Sequence, residues 1–111
     1  MKMIDLENLT AENDGEYVFG AADTGSHACY LIYGSLAPGE KGRIVKPGKG
    51  HEEMLLAALG TLNLSGDFSG ALAEGSALHL AGEQTCLLEN PGTSAAIYVI
   101  AGGHTGHDHH H

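Results

Sequence analysis

The sequence predicts an all-β domain, a sandwich or a barrel. Its apolar segments are short and separated by Gly, Pro, Asn or Asp. Its 17 glycines are spread between those segments rather than gathered in one block. Helix signals are nearly absent, and many short strands with regular turns suit a closed β architecture. Hydrophobic residues make up 42% of 111 residues, enough for the core of one domain.

Taken in order, "IDLENLTAEN" (4–13) is the one stretch suited to a helical turn, within an N-terminal arm over residues 1–15. Strand candidates follow at "EYVFG" (16–20), "ACYLIYGSL" (28–36) and "RIV" (43–45). "MLLAALG" (54–60) has helix-favouring composition but is too short before Gly60. "TLNL" (61–64) then alternates with period two, so 52–64 reads as a hairpin. "SALHLAG" (76–82), "TCLLE" (85–89) and "SAAIYVIAGG" (94–103) complete the strands. The pieces between them, such as "APGEKG", "PGKG" and "ENPGT", are turn chemistry. This gives a barrel over 16–102 and a His-rich tail over 103–111.

Net charge is −9, which argues against nucleic acid and against anionic membrane surfaces. No apolar run approaches the ~20 residues of a membrane span. With two cysteines and no apolar leader in "MKMIDLENL", a reduced cytoplasmic protein is expected. Four of the five basic residues, Lys41, Arg43, Lys46 and Lys49, crowd into nine positions. Such a cluster is either a charged, protected strand edge or an anion site in which Arg43 makes a bidentate contact.

Two spacings carry a family resemblance. In "HEEMLLAALGTLNLSGD", Glu53 is followed by six residues and Gly60. Further on, Gly75, Ala81-Gly82-Glu83, Cys86 and Asn90 stand at the intervals of a second motif. Over residues 36–100 the chain resembles small single-domain cupins of the conserved-barrel type. That resemblance implies a cupin-type β-barrel or jelly roll and, in the usual member, a metal held by three histidines and a glutamate. Here the paired histidine positions fall on Pro47 and Lys49 (or Lys46 and Gly48), and the third falls on Cys86 (or on Thr85 with a one-residue slip). His51 matches a frequent extra histidine of the family that is not usually a ligand. The scaffold persists where the metal ligands do not.

A buried Glu53 needs a partner, and Lys49 pointing inward would supply one. A recruited divalent ion (Ni, Zn, Co or Fe) on His51, Glu53 and Cys86 is the alternative. Cys86 is otherwise an inert buried thiol, His79 a strand histidine and Cys29 a core residue. The tail "HTGHDHHH" offers His104, His107, His109, His110 and His111 to transition-metal ions, whether native or an appended affinity sequence.

The reading is a small-ligand-binding barrel with a degenerate metal site, without catalysis. It takes a small anionic molecule at its mouth through Arg43, Lys46, Lys49, Glu53 and Cys86. The alternatives are a metalloenzyme of oxygenase or isomerase type with unusual ligands, and a metal-handling protein acting through its tail. Exposed strand edges in small barrels favour a homodimer.

Overall fold

A computed structural model describes residues 3–105. Asp5 starts helix α1 (Leu6–Glu12) as its N-cap, its side chain accepting the Asn8 backbone N–H at 3.2 Å. The helix stops at Asn13, and Gly15 takes up positive φ to turn the chain into the first strand. Thr10 is buried and donates its hydroxyl to the Tyr33 carbonyl at 3.2 Å, docking the helix on the barrel. Within the arm expected over residues 1–15, Leu6–Glu12 is therefore a packed helix.

Among the described residues nine strands follow: β1 (Glu16–Phe19), β2 (Cys29–Leu36), β3 (Lys41–Val45), β4 (His51–Leu59), β5 (Leu62–Gly66), β6 (Gly70–Leu72), β7 (Ala77–Ala81), β8 (Cys86–Glu89) and β9 (Ala96–His104). A one-turn helix, α2 (Ala21–Thr24), lies between β1 and β2. The two elements the sequence did not announce, α2 and β6, are the shortest helix and the shortest strand, too brief for a periodic signal. Strand β9 runs through His104, so Gly103 and His104 of the expected tail are sheet residues. Among the described residues no helix is long and apolar enough to cross a membrane.

The strands form two antiparallel sheets, β1-β2-β9-β4-β7 and β3-β8-β5-β6. Period-two burial fixes the faces. On β4, Glu53, Leu55 and Ala57 are buried while Met54 and Leu56 are exposed; on β9, Ala96, Tyr98 and Ile100 are buried. The core closes between these residues and Val45, Leu62, Leu72, Cys86 and Leu88 of the facing sheet.

The 52–64 segment is two strands but not a hairpin. β4 pairs with β7 and β9, whereas β5 pairs with β6 and β8. Gly60, at φ 82°, hands the chain from one sheet to the other. Period two identifies strands, and it is silent on which sheet each one joins.

Asn90 locks the turn before β9. Its amide donates to the carbonyls of Leu36, Ala37 and Ser94 at 3.0, 3.2 and 2.8 Å, and its side-chain oxygen accepts the Gly92 N–H. This is why the motif keeps an asparagine here: a buried group with both donors and acceptor satisfied.

Candidate functional site

Strand register assembles a polar cluster at one end of the larger sheet's inner face. Tyr30, Gly102, Glu53 and Leu80 form one rung across β2, β9, β4 and β7. Two rungs further out, His51 opposes His104. Gly102 is small for a reason: a Cβ there would lie 2.4 Å from the Tyr30 ring. The phenol thus lies across the glycine and donates to Glu53 Oε2 at 2.6 Å. Burial first, then this hydrogen bond, push the Tyr30 pKa well above the ordinary tyrosine range.

Glu53 is 5% exposed. Tyr30 supplies its partner, so the expected inward Lys49 is a correction. Lys49 is exposed in the turn before β4, and only its backbone carbonyl takes part, in a 3.2 Å contact with His51 Nδ1. The second oxygen of Glu53, Oε1, has no hydrogen-bond partner among the described residues.

The anion site does not assemble. Arg43 sits at the opposite end of the barrel with its side chain 15% exposed. It donates to the Gly15 and Ser35 carbonyls, both at 3.2 Å, to Tyr98 Oη at 2.7 Å and to Glu40 Oε2 at 3.0 Å. Tyr98 in turn donates to Glu16 Oε2 at 2.6 Å. Burial works against the Arg43 charge, but the contacts with Tyr98 and Glu40 outweigh it and hold its pKa raised. The Ala37 N–H and then Arg43 hold the Glu40 carboxyl below its usual range, against the opposing effect of burial. Lys46 pairs on the surface with Glu83 at 3.1 Å. β3 is irregular between Lys41 and Arg43, and Lys46 and Lys49 lie beyond its end, so four basic residues close in sequence did not become one patch.

The three-ligand metal centre is corrected as well. Among the described residues no group of three His, Cys, Asp or Glu side chains could hold an ion, so His51, Glu53 and Cys86 do not converge. His79 instead pairs with Glu52 on the outer face at 2.8 Å. His104 lies on β9, and His107, His109, His110 and His111 lie outside the described residues.

Cys86 is fully buried on β8, and burial lifts its thiol to about 11. It is neither a thiolate nor a ready ligand at neutral pH. Cys29, expected in the core, is exposed at the start of β2. A disulfide-exchange reagent near pH 8 is expected to label Cys29 promptly and Cys86 only on unfolding. Two fast thiols in native protein would contradict this burial.

Two recesses on the outer side of the larger sheet each touch one member of the Tyr30–Glu53 pair. One, of about 400 Å³, is lined by Glu52, Glu53, Met54, His79 and residues 101–103. The other, of about 380 Å³, is mostly apolar and is lined by Phe19, Cys29, Tyr30 and Leu31.

No family model matches the sequence, and no curated protein matches it. Solved structures do resemble it. The protein TT1209 from Thermus thermophilus is 19% identical at TM-score 0.68, with 94% of this chain and 98% of that chain covered. A sugar phosphate isomerase of the cupin superfamily from Silicibacter pomeroyi is 18% identical at TM-score 0.66, covering 94% and 76%. The cupin domain of an XRE-family transcriptional regulator from Enterobacter cloacae is 16% identical at TM-score 0.65, covering 82% and 98%. Others are described as double-stranded β-helix or RmlC-like cupin proteins. The chain is a small cupin-type domain in fold. The motif glycines and Asn90 account for that fold, and the replaced ligand positions do not disturb it.

Proposed function

We propose that this protein binds a small ligand at the Tyr30–Glu53 end of its barrel, through a hydrogen bond or charge donated to Glu53. The observation that carries this is Glu53 Oε1, an acceptor on a carboxylate 5% exposed that no described residue satisfies. Buried polar atoms find partners, and a ligand hydroxyl or ammonium would be one. The expected anionic ligand loses its support, because Arg43 is committed at the other end and Lys46 to Glu83. A net charge of −9 also favours neutral or cationic ligands.

The test is a thermal-shift panel of monosaccharides, polyols and primary amines beside carboxylates and phosphates. A donor-bearing compound at 100 times its Kd should stabilise the protein by about 2.7 kcal/mol. Glu53→Gln should abolish that shift. A response confined to carboxylates or phosphates, or one unchanged in Glu53→Gln, would overturn the reading.

Fold neighbours are named as an isomerase and as a domain of a transcriptional regulator, so the fold by itself does not choose between catalysis and another role. The 2.6 Å contact of phenol and carboxylate is the one observation favouring catalysis, since it places an acid beside a base. The metalloenzyme reading with ligands His51, Glu53 and Cys86 has no such support, and the tail-based reading rests mainly on residues outside the described ones.

The homodimer expectation continues as part of the proposal. β4 presents Met54 (59% exposed), Leu56 and Leu59 on its outer face. Sedimentation equilibrium is expected to give twice the chain mass, and Met54→Glu with Leu56→Lys to shift it to one. A wild-type monomer at all concentrations would rule this out.

A further inference from the structure

The geometry points to a second site that needs neither the barrel's lost ligands nor the tail beyond His104: a divalent transition-metal site chelated by His51 and His104. The two residues are directly opposed across β4 and β9. Their ring centroids are 4.6 Å apart and tilted by 38°. Two imidazoles sharing one ion at about 2.0–2.1 Å per bond have centres roughly 4.5–5 Å apart, so the pair already stands at the span of a chelate.

One ring is also set in a ligating tautomer. His51 Nδ1 lies 3.2 Å from the Lys49 carbonyl. A carbonyl has no hydrogen to give, so Nδ1 must carry the proton in this contact. The neutral ring then presents its Nε2 lone pair, the arrangement in which a backbone acceptor orients a metal-bound histidine. The rung is held on both sides. Pairing continues inward through Glu52–Gly103 and Glu53–Gly102, and outward the Thr105 N–H bonds the Gly50 carbonyl at 2.9 Å. The backbone spacing of the two histidines is therefore fixed before any ion arrives.

The site differs from the three-histidine, one-glutamate centre of the resemblance. Neither His51 nor His104 stands at one of that centre's ligand positions. Two imidazoles leave the remaining coordination positions to water. They suit the ions that favour nitrogen donors, with Cu²⁺ bound more tightly than Ni²⁺ or Zn²⁺.

The test uses the full-length chain with His107, His109, His110 and His111 changed to Ala, so that the pair is read alone. Titration with Cu²⁺ and with Zn²⁺ is followed by calorimetry, and the Cu²⁺ spin-resonance spectrum reports the coordinating nitrogens. One ion per chain and nitrogen coupling from two imidazoles are expected. Either His51→Ala or His104→Ala should weaken binding by roughly 100-fold, because the second bond of a chelate forms at high effective concentration. His51→Gln and His104→Gln serve in the same way should an alanine variant fail to fold. Binding within about threefold of the starting chain in both single variants, or no binding before substitution, would overturn the site. Glu53→Gln should leave Cu²⁺ affinity within that same margin, which separates failure here from failure of the Glu53 ligand reading.

Discussion

Replacing Arg43 with methionine is expected to destabilise the domain by about 3–5 kcal/mol, the cost of removing one member of a buried charged network. The guanidinium joins four groups from separate parts of the chain: the Gly15 carbonyl after helix α1, the Ser35 carbonyl on β2, Tyr98 on β9 and Glu40 before β3. Methionine fills similar space but satisfies none of them. Of its two polar partners Tyr98 would keep only Glu16. Lysine should recover only part of the loss, since one ammonium cannot reproduce a planar fork reaching separate acceptors. Urea unfolding measures this directly. A change below about 1 kcal/mol in Arg43→Met would mean that the network is decorative.

Gly34→Ala is the second large effect, expected at about 3 kcal/mol or more. A Cβ at Gly34 would lie 2.0 Å from Tyr98 Cζ and 2.4 Å from its Cε2 and Oη. Tyr98 has no exposed surface and is held by Glu16 and Arg43, so it cannot yield. The variant should unfold at markedly lower denaturant. Tyr98→Leu removes the ring that causes the clash, at its own cost. The double variant should then lose less than the sum of the two singles, because the singles share one contact. Strict additivity would place the cause elsewhere.

These residues show what was readable in advance. Alternation in "HEEMLLAAL" turns Glu53, Leu55 and Ala57 inward, and the spacing of Glu53, Gly60, Gly75 and Asn90 identifies the barrel. Tyr30 as the partner of Glu53 was not readable. Twenty-three residues separate the two, and only the β2–β9–β4 register brings them together. "CYLIYG" does put Tyr30, Ile32 and Gly34 on one face, which is the signal that was there to use. Arg43 misled for the same reason. Local crowding of basic residues describes the sequence, whereas an anion site needs them on one face, and that depends on where the strand bulges and where it ends. Cys29 misled differently: an apolar neighbourhood in sequence says little at the first residue of a strand, where the sheet is only beginning to cover it.

The order of the larger sheet also governs how the protein comes into being. β9 is its central strand, flanked by β2 on one side and β4 on the other. Synthesis delivers β1–β2 and β4–β7 first, as two separate pairs with nothing between them. Neither pair can join the other until β9 is made, and each exposes an unpaired edge and an apolar face while it waits. Formation of this domain must therefore be a late, largely all-or-none event dominated by pairings distant in sequence, which makes it a slow folder for its size.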